Sequence, residues 1–338
     1  MYIHVYTYSF LYEEALIPDY TNRDLADNLN NRKSIPRVAS AFVPGHITGF
    51  FRIHDDATSA LMCGSRGAGF SVEIGTLTSV SLTENEFLEI TTIYNNEEID
   101  AQVTSMVVHR MAEDYERKFK VNITHESSLP SGAGYGASGA GALGAALALG
   151  HLLDSSMDYD KAASYAHEAE IVNHTGLGDV LAQTKAGLEI RIRPGGPGIG
   201  KIQHINHKQS QHVVLAGAAG LRTRDVLTNP ESRQKINNVG DQLIERIIDN
   251  PDLATFIKCS RIFTESIGLA TKRVLQALHT LDDSGFTQSS MVMLGDSVFC
   301  FCDEHESESI INILCRYWEP HQVTLTSISD KGGRLVSW

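Results

Sequence analysis

The sequence predicts an α/β chain in two parts: a mixed sheet with helices over residues 37–210, then an α+β layer over residues 211–338. Three stretches carry that prediction. A glycine run within residues 129–149, LPSGAGYGASGAGALGAALAL, opens into an alanine- and leucine-rich helix. Short alternating runs before it (TLTSVSL, FLEITTIY, KVNITH) have the period of strands, with a helical piece over residues 103–116 between them. From Gln211 an apolar strand, HVVLAGAAG, gives way to helical segments, a hairpin (MVMLGDSVFCFCDE), another helix and a final strand, QVTLTSIS. Residues 1–36 stand apart. Their second half, PDYTNRDLADNLNNRKSIP, is polar and turn-rich, and the stretch is expected to be an appendage with no chemistry of its own.

Composition narrows the function. At 338 residues the chain has room for two domains, and a formal charge of −13 with no offsetting basic cluster excludes a nucleic-acid surface. No run of about 18 apolar residues occurs, and the N-terminus lacks a basic segment followed by an apolar core. No membrane span and no signal peptide are therefore expected. The five cysteines are scattered and odd in number, and Cys300-x-Cys302 has neither redox nor zinc spacing. They read as reduced thiols of a cytoplasmic protein.

The glycine run is the centre of the argument. Gly132, Gly134, Gly136, Gly139 and Gly141 let backbone N–H groups approach an oxyanion, and Ser138 adds a hydroxyl. At a helix N-terminus the unpaired N–H groups and the dipole favour a phosphate. Residues 134–139 satisfy G-x-G-x-x-G, but HESSLPS separates them from the candidate strand at 120–124, and polar DSSMDYDKAAS follows the helix. That context does not suit a nicotinamide dinucleotide site. No lysine follows the glycines, so the G-x-x-x-x-G-K-[ST] pattern fails too. The competing reading is a closely packed helix start with no ligand.

Other candidates flank the loop. Pro44-Gly45 and Gly49 predict a strand, a tight turn and a second strand, with His46 and Thr48 near the turn. Gly64-Ser65-Arg66-Gly67-Ala68-Gly69 predicts a second glycine loop, whose arginine suits a carboxylate or phosphate unless it is an exposed turn residue. Glu170 falls near the C-terminal end of a helix predicted over residues 159–174, where a carboxylate opposes the dipole unless a cation compensates. Gly176 and Gly178 expose Asp179 on a turn, and Arg191 follows in an alternating strand. Two carboxylates and an arginine beside a phosphate loop are the set phosphoryl transfer needs: metal ligand, hydroxyl-orienting base and charge neutraliser. The structural alternatives are a helix cap for Asp179 and a surface ion pair between Glu170 and Arg191.

Together these stretches resemble the GHMP kinase superfamily, whose members phosphorylate small alcohols or acids with ATP and Mg²⁺. Its loop pattern, P-x-G-x-G-x-[GS]-S-[SA]-A, is similar to Pro130-Ser131-Gly132-Ala133-Gly134-Tyr135-Gly136-Ala137-Ser138-Gly139-Ala140, and its first motif to Pro44-Gly45. The superfamily's C-terminal glycine-rich motif is reduced to Leu294-Gly295-Asp296-Ser297. The resemblance spans about residues 37–338 and implies a two-domain fold with a ferredoxin-like C-terminal layer. It implies ATP on Pro130, Gly132, Ala133, Gly134, Gly136, Ala137, Ser138 and Gly139, and Mg²⁺ on Ser138 and Glu170. Asp179 is implied as the catalytic carboxylate and Arg191 as a substrate or phosphate contact. Within the superfamily, AFVPGHITGFF, GSRGAG, TGLGDV and MLGDSVF look most like the archaeal branch that phosphorylates (R)-pantoate on the way to coenzyme A. His46, Thr48 and Arg66 are then expected at the substrate, with Arg66 or Arg191 taking its carboxylate. A homodimer is compatible with this reading. The alternatives are a GHMP kinase for homoserine or mevalonate, an inactive nucleotide sensor on the same fold and, more distantly, a nicotinamide oxidoreductase.

Overall fold

Two long strands form the frame of the molecule, which is known from a computed structural model describing residues 36–208, 211–221 and 223–336. The expected N-terminal appendage lies outside those residues except for Pro36. β1 (Arg37–His54) and β2 (Gly64–Glu84) pair antiparallel from Arg37↔Leu82 to His54↔Gly64. Here two expectations fail. Pro44-Gly45 is not a turn but lies inside β1, where the register slips between Pro44 and Gly45 and again between Thr48 and Phe50. Irregular pairing accommodates a proline that has no N–H to give the ladder. GSRGAG is likewise the start of β2 rather than a loop.

β2 is long enough to pair with two strands on its second side. β5 (Phe119–Ser127) runs along Thr76 to Glu84, and β6 (Leu188–Arg193) along Gly67 to Phe70. β3 (Glu89–Tyr94) lies parallel to β5 and carries β4 (Glu97–Glu98), while β7 (Lys201–Ile205) pairs with β6. On the free side of β1 sits β12 (Arg334–Val336), which completes an eight-stranded sheet. Helices α1 (Gln102–Asp114), α2 (Ala137–Leu153), α3 (Tyr159–Asn173) and α4 (Asp179–Lys185) belong to this part. α2 packs on β1 and β2 and against α1 and α3, and its alanines and glycines permit that close approach. A helix, α3, follows α2, so the glycine run is not part of a β-α-β dinucleotide unit.

The second sheet holds β8 (His212–Ala218), β9 (Ser289–Met291), β10 (Asp296–Cys302) and β11 (Val323–Ser327) in the order β11-β8-β10-β9, all antiparallel. With α5 (Thr223–Thr228), α6 (Pro230–Asp249), α7 (Leu253–Ile267) and α8 (Lys272–Asp283) after its first strand and α9 (Ser307–Leu314) after its third, this is a ferredoxin-like layer. The five cysteines are free thiols, and no helix of the described residues is long and apolar enough to cross a membrane.

A phenylalanine cluster joins the two sheets. Phe70 of β2 meets Phe256 of α7 and Phe299 and Phe301 of β10, with ring centroids 6.0, 5.3 and 4.8 Å away. Phe50 and Phe51 of β1 meet Phe263 of α7 at 6.4 and 5.8 Å. Edge-on and tilted rings at such distances add to the burial of apolar area. Phe70→Ala is expected to lower stability by about 3–5 kcal/mol. Urea unfolding at unchanged m-value measures it, and a loss below about 1 kcal/mol would show that the cluster does not join the sheets.

Candidate active site

The loop before α2 is a cradle of backbone around an uncapped helix N-terminus. Gly136 is the N-cap of α2 with φ 68°, a left-handed conformation that glycine adopts without strain. No side chain caps the helix and no acidic residue occupies its first turn, so its leading N–H groups remain available. Neighbouring elements hold the loop in place. The His46 N–H donates to Tyr135 O (3.0 Å), Gln183 Nε2 donates to Gly136 O (2.9 Å) and Pro44 O (3.1 Å), and the Gly220 N–H donates to Gly132 O (2.9 Å). The β9–β10 turn closes on the same region, with the Leu221 N–H donating to Leu294 O (2.9 Å) and the Met293 N–H to Thr48 O (3.2 Å). The reduced C-terminal motif packs against the loop, where a Cβ on Gly295 would come within 2.0 Å of Ala133 O.

A cleft of about 750 Å³ opens over this cradle. Pro130, Gly132, Gly134, Gly136, Ala137, Ser138 and Gly139 line it, together with Thr48, Ser65, Glu170, Asp179 and Arg191. Ala133 does not; it is buried behind the loop.

Two carboxylates enter the cleft in different electrostatic states. Glu170, in the last turn of α3, is 2 % exposed and accepts hydrogen bonds from Ser138 Oγ (2.5 Å) and Thr175 Oγ1 (2.8 Å). Burial pushes its carboxyl up to about 7, against the pull of those two hydroxyls. Asp179 begins α4, and His46 Nδ1 lies 2.8 Å from its Oδ1. Burial acts to raise the Asp179 carboxyl, but the His46 hydrogen bond and the positive charges of His46 and Arg191 outweigh it and hold the group below its usual range. Free oxygens of both acids, Glu170 Oε2 and Asp179 Oδ2, face Gly176, where a Cβ would come within 2.2 and 3.1 Å of them.

Arg191 is 1 % exposed and its head sits at the end of the cleft. Its Nη1 donates to Glu189 Oε1 (2.5 Å), its Nη2 to Thr48 Oγ1 (3.4 Å) and its Nε to Ser65 Oγ (3.3 Å). The expected surface pair of Arg191 with Glu170 is absent, because Arg191 is buried beside Glu189. The structure does not bring His46 or Arg66 to the cleft wall. His46 is fully buried between Asp179 and Glu189 (Nε2 to Oε1, 3.1 Å). Arg66 adjoins Ser65 on β2 and so points to the opposite face of the sheet, where its Nη2 donates to Glu245 Oε1 of α6 (3.1 Å). Sequence reasoning passed over Glu189, Gln183, Ser65 and Thr175. Glu189 carried a usable signal: it stands two residues before Arg191 in an alternating strand, hence on the same face.

The GHMP kinases N terminal domain family matches residues 103–187. The chain is 32 % identical over 305 residues to the pantoate kinase of Thermococcus kodakarensis, covering 88 % of this chain and 98 % of that one. The pantoate kinase of Methanocaldococcus jannaschii is 32 % identical over 278 residues, covering 81 % and 96 %. Among solved structures, a phosphotransferase related to the CoA biosynthesis pathway superposes with a TM-score of 0.80 at 28 % identity, over 89 % of this chain and 99 % of that one. Homoserine kinase from Cytophaga hutchinsonii (TM-score 0.65, 14 % identity, 90 % and 99 % covered) shares the fold. So does the MDDEF structure in complex with MVAPP, AMPPCP and magnesium (0.68, 11 %, 90 % and 100 %). With a curated relative this similar along nearly its whole length, the chain belongs to the GHMP kinase family.

Proposed function

We propose that the chain is a pantoate kinase that transfers the γ-phosphoryl group of ATP to the 4-hydroxyl of (R)-pantoate, giving 4-phosphopantoate. The observation that carries the reaction type is the meeting of Ser138, Glu170 and Asp179 around one uncapped helix N-terminus. The choice of pantoate rests on the relatives named pantoate kinase. ATP phosphates lie on the backbone N–H groups of the loop and the first turn of α2.

The residues present fit Mg²⁺. Glu170 is a buried carboxylate whose hydrogen-bond donors are neutral hydroxyls, and burial has already raised its proton affinity. No cluster of three or more His, Cys, Asp or Glu suited to a metal occurs among the described residues. Mg²⁺ needs none, since it binds through one or two protein oxygens together with substrate phosphates. Ser138 and Glu170 would hold it, and when bound it neutralises charge on the phosphate oxygens.

Asp179 Oδ2 accepts the hydrogen bond of the attacking hydroxyl and aligns it with the γ-phosphorus. As the new O–P bond forms, the bond to the ADP oxygen breaks and the hydroxyl proton passes to Asp179 or on to solvent. A carboxyl held low is a weak base, which suits a loose transition state in which the proton leaves late. With Arg66 turned away, Arg191 is the cation for the pantoate carboxylate, alongside the hydroxyls of Thr48 and Ser65.

A coupled ADP-release assay with ATP, Mg²⁺ and separate pantoate, pantothenate, homoserine and mevalonate tests the reading. Release with pantoate alone is expected. Turnover of another alcohol would overturn the substrate, and ATP binding without any turnover would favour a nucleotide sensor. Asp179→Asn should lower kcat about a hundredfold or more with little change in the KM for ATP; near-normal kcat would end its catalytic role. The proton on Glu170 competes with the cation, so the apparent affinity for Mg²⁺ should weaken as pH falls below about 7, by up to about tenfold per unit. Equal Mg²⁺ activation constants at pH 6 and pH 8 would rule out that competition.

A further inference from the structure

His46 touches the loop and the carboxylate at once. Its backbone N–H is tied to Tyr135 O of the loop (3.0 Å), while its ring lies 2.8 Å from Asp179 Oδ1 through Nδ1 and 3.1 Å from Glu189 Oε1 through Nε2. A carboxylate has no hydrogen to give, and a neutral imidazole carries only one N–H. Arg191 Nη1 also lies near Nε2, at 3.4 Å, but the Glu189 contact is the shorter, and donating to both carboxylates requires both ring nitrogens to be protonated. The charged groups facing the ring are Asp179 from α4 and Glu189 and Arg191 from β6. Against it from β2 lies Gly69, where a Cβ would come within 2.6 Å of Nε2, so the ring has no room to turn toward that strand. Arg191 Nη1 donates to the same Glu189 oxygen that meets His46 (2.5 Å), and the four groups alternate in sign: Asp179, His46, Glu189, Arg191.

We propose that His46 is a positioning residue: held as an imidazolium between Asp179 and Glu189, it fixes the acceptor-facing carboxylate at a set place relative to the phosphate loop. The proposal rests on the reading of Asp179 as the carboxylate that meets the acceptor hydroxyl. With Oδ1 taken by His46, Oδ2 is the oxygen presented to the hydroxyl. Because the same residue anchors the loop through its backbone, donor and acceptor sides share one reference point. A buried histidine that merely fills space would need neither charge nor Glu189.

Histidine-¹⁵N NMR reads the charge directly. The chain has 14 histidines, and the His46 pair of ring signals is the one lost in His46→Gln. Both nitrogens are expected to stay protonated above the ordinary histidine range of about 6.5, and in Glu189→Gln the ring should lose its proton at least about one pH unit lower. In the same variant kcat should fall about tenfold to a hundredfold, with the KM for ATP and for the acceptor moving less than about threefold, and Glu189→Asp should recover part of the loss. A wild-type His46 that titrates at or below 6.5, or a Glu189→Gln enzyme with wild-type kcat, overturns the proposal. The two readings fail separately. A neutral His46 in an active kinase removes only this inference, whereas a charged His46 in a chain that phosphorylates no acceptor removes the role of Asp179 and with it the positioning.

Discussion

Charge taken out of water must meet opposite charge or give up its proton, and the cleft is built around that constraint. Asp179, His46, Glu189 and Arg191 satisfy it among themselves, in a chain whose contacts run 2.8, 3.1 and 2.5 Å. Glu170 stands outside the chain. It has hydroxyl donors but no cation among the described residues, and its raised carboxyl pKa records the imbalance. One side of the site thus pairs its charges within the protein, and Glu170 on the other does not. A buried chain of this kind need not add net stability, since desolvation opposes the attraction, but removing one member leaves its neighbours unpaired.

The fold delivers these groups through strand register. β6 pairs with the first part of β2, which places Glu189 and Arg191 beside the segment of β1 that carries His46 and Thr48. The irregularities at Pro44/Gly45 and Thr48/Phe50 bracket that segment. Between them β1 turns its backbone N–H toward the loop and its side chains toward α4 and β6. Local irregularity in an otherwise regular hairpin serves to aim side chains at the cleft.

What the sequence discloses and what it conceals divide along the same line. The glycine loop before its helix, the helix ending near Glu170 and the turn at Asp179 were legible because each depends on residues close together in the chain: glycine spacing, a helical period, paired glycines. The α+β layer was legible from its order of strands and helices, and its ferredoxin-like form only through the family resemblance. Which cation reaches the cleft was not, because Ser65 and Arg66 are adjacent in a strand and only the packing of the sheet decides which of them faces the site. Glu189 and Gln183 matter through partners in β1 and the loop, more than a hundred positions away for the first of these contacts, and no local pattern reports such a pairing. Pro44-Gly45 misled for a related reason: a proline-glycine pair marks a turn in isolation, yet a long hairpin can absorb it as an irregularity.

β12 carries a consequence for how the chain comes together. Residues 334–336 pair with Ser40 to Phe42 on the outer edge of β1, joining segments from opposite ends of the described sequence. That part of the edge therefore stays open until residues 334–336 have been made and have returned to β1. Until then Ser40 to Phe42 lack the β12 partner, and such an edge is the kind to which other strands add. A chain cut back before residue 334 would leave Ser40 to Phe42 open to such additions.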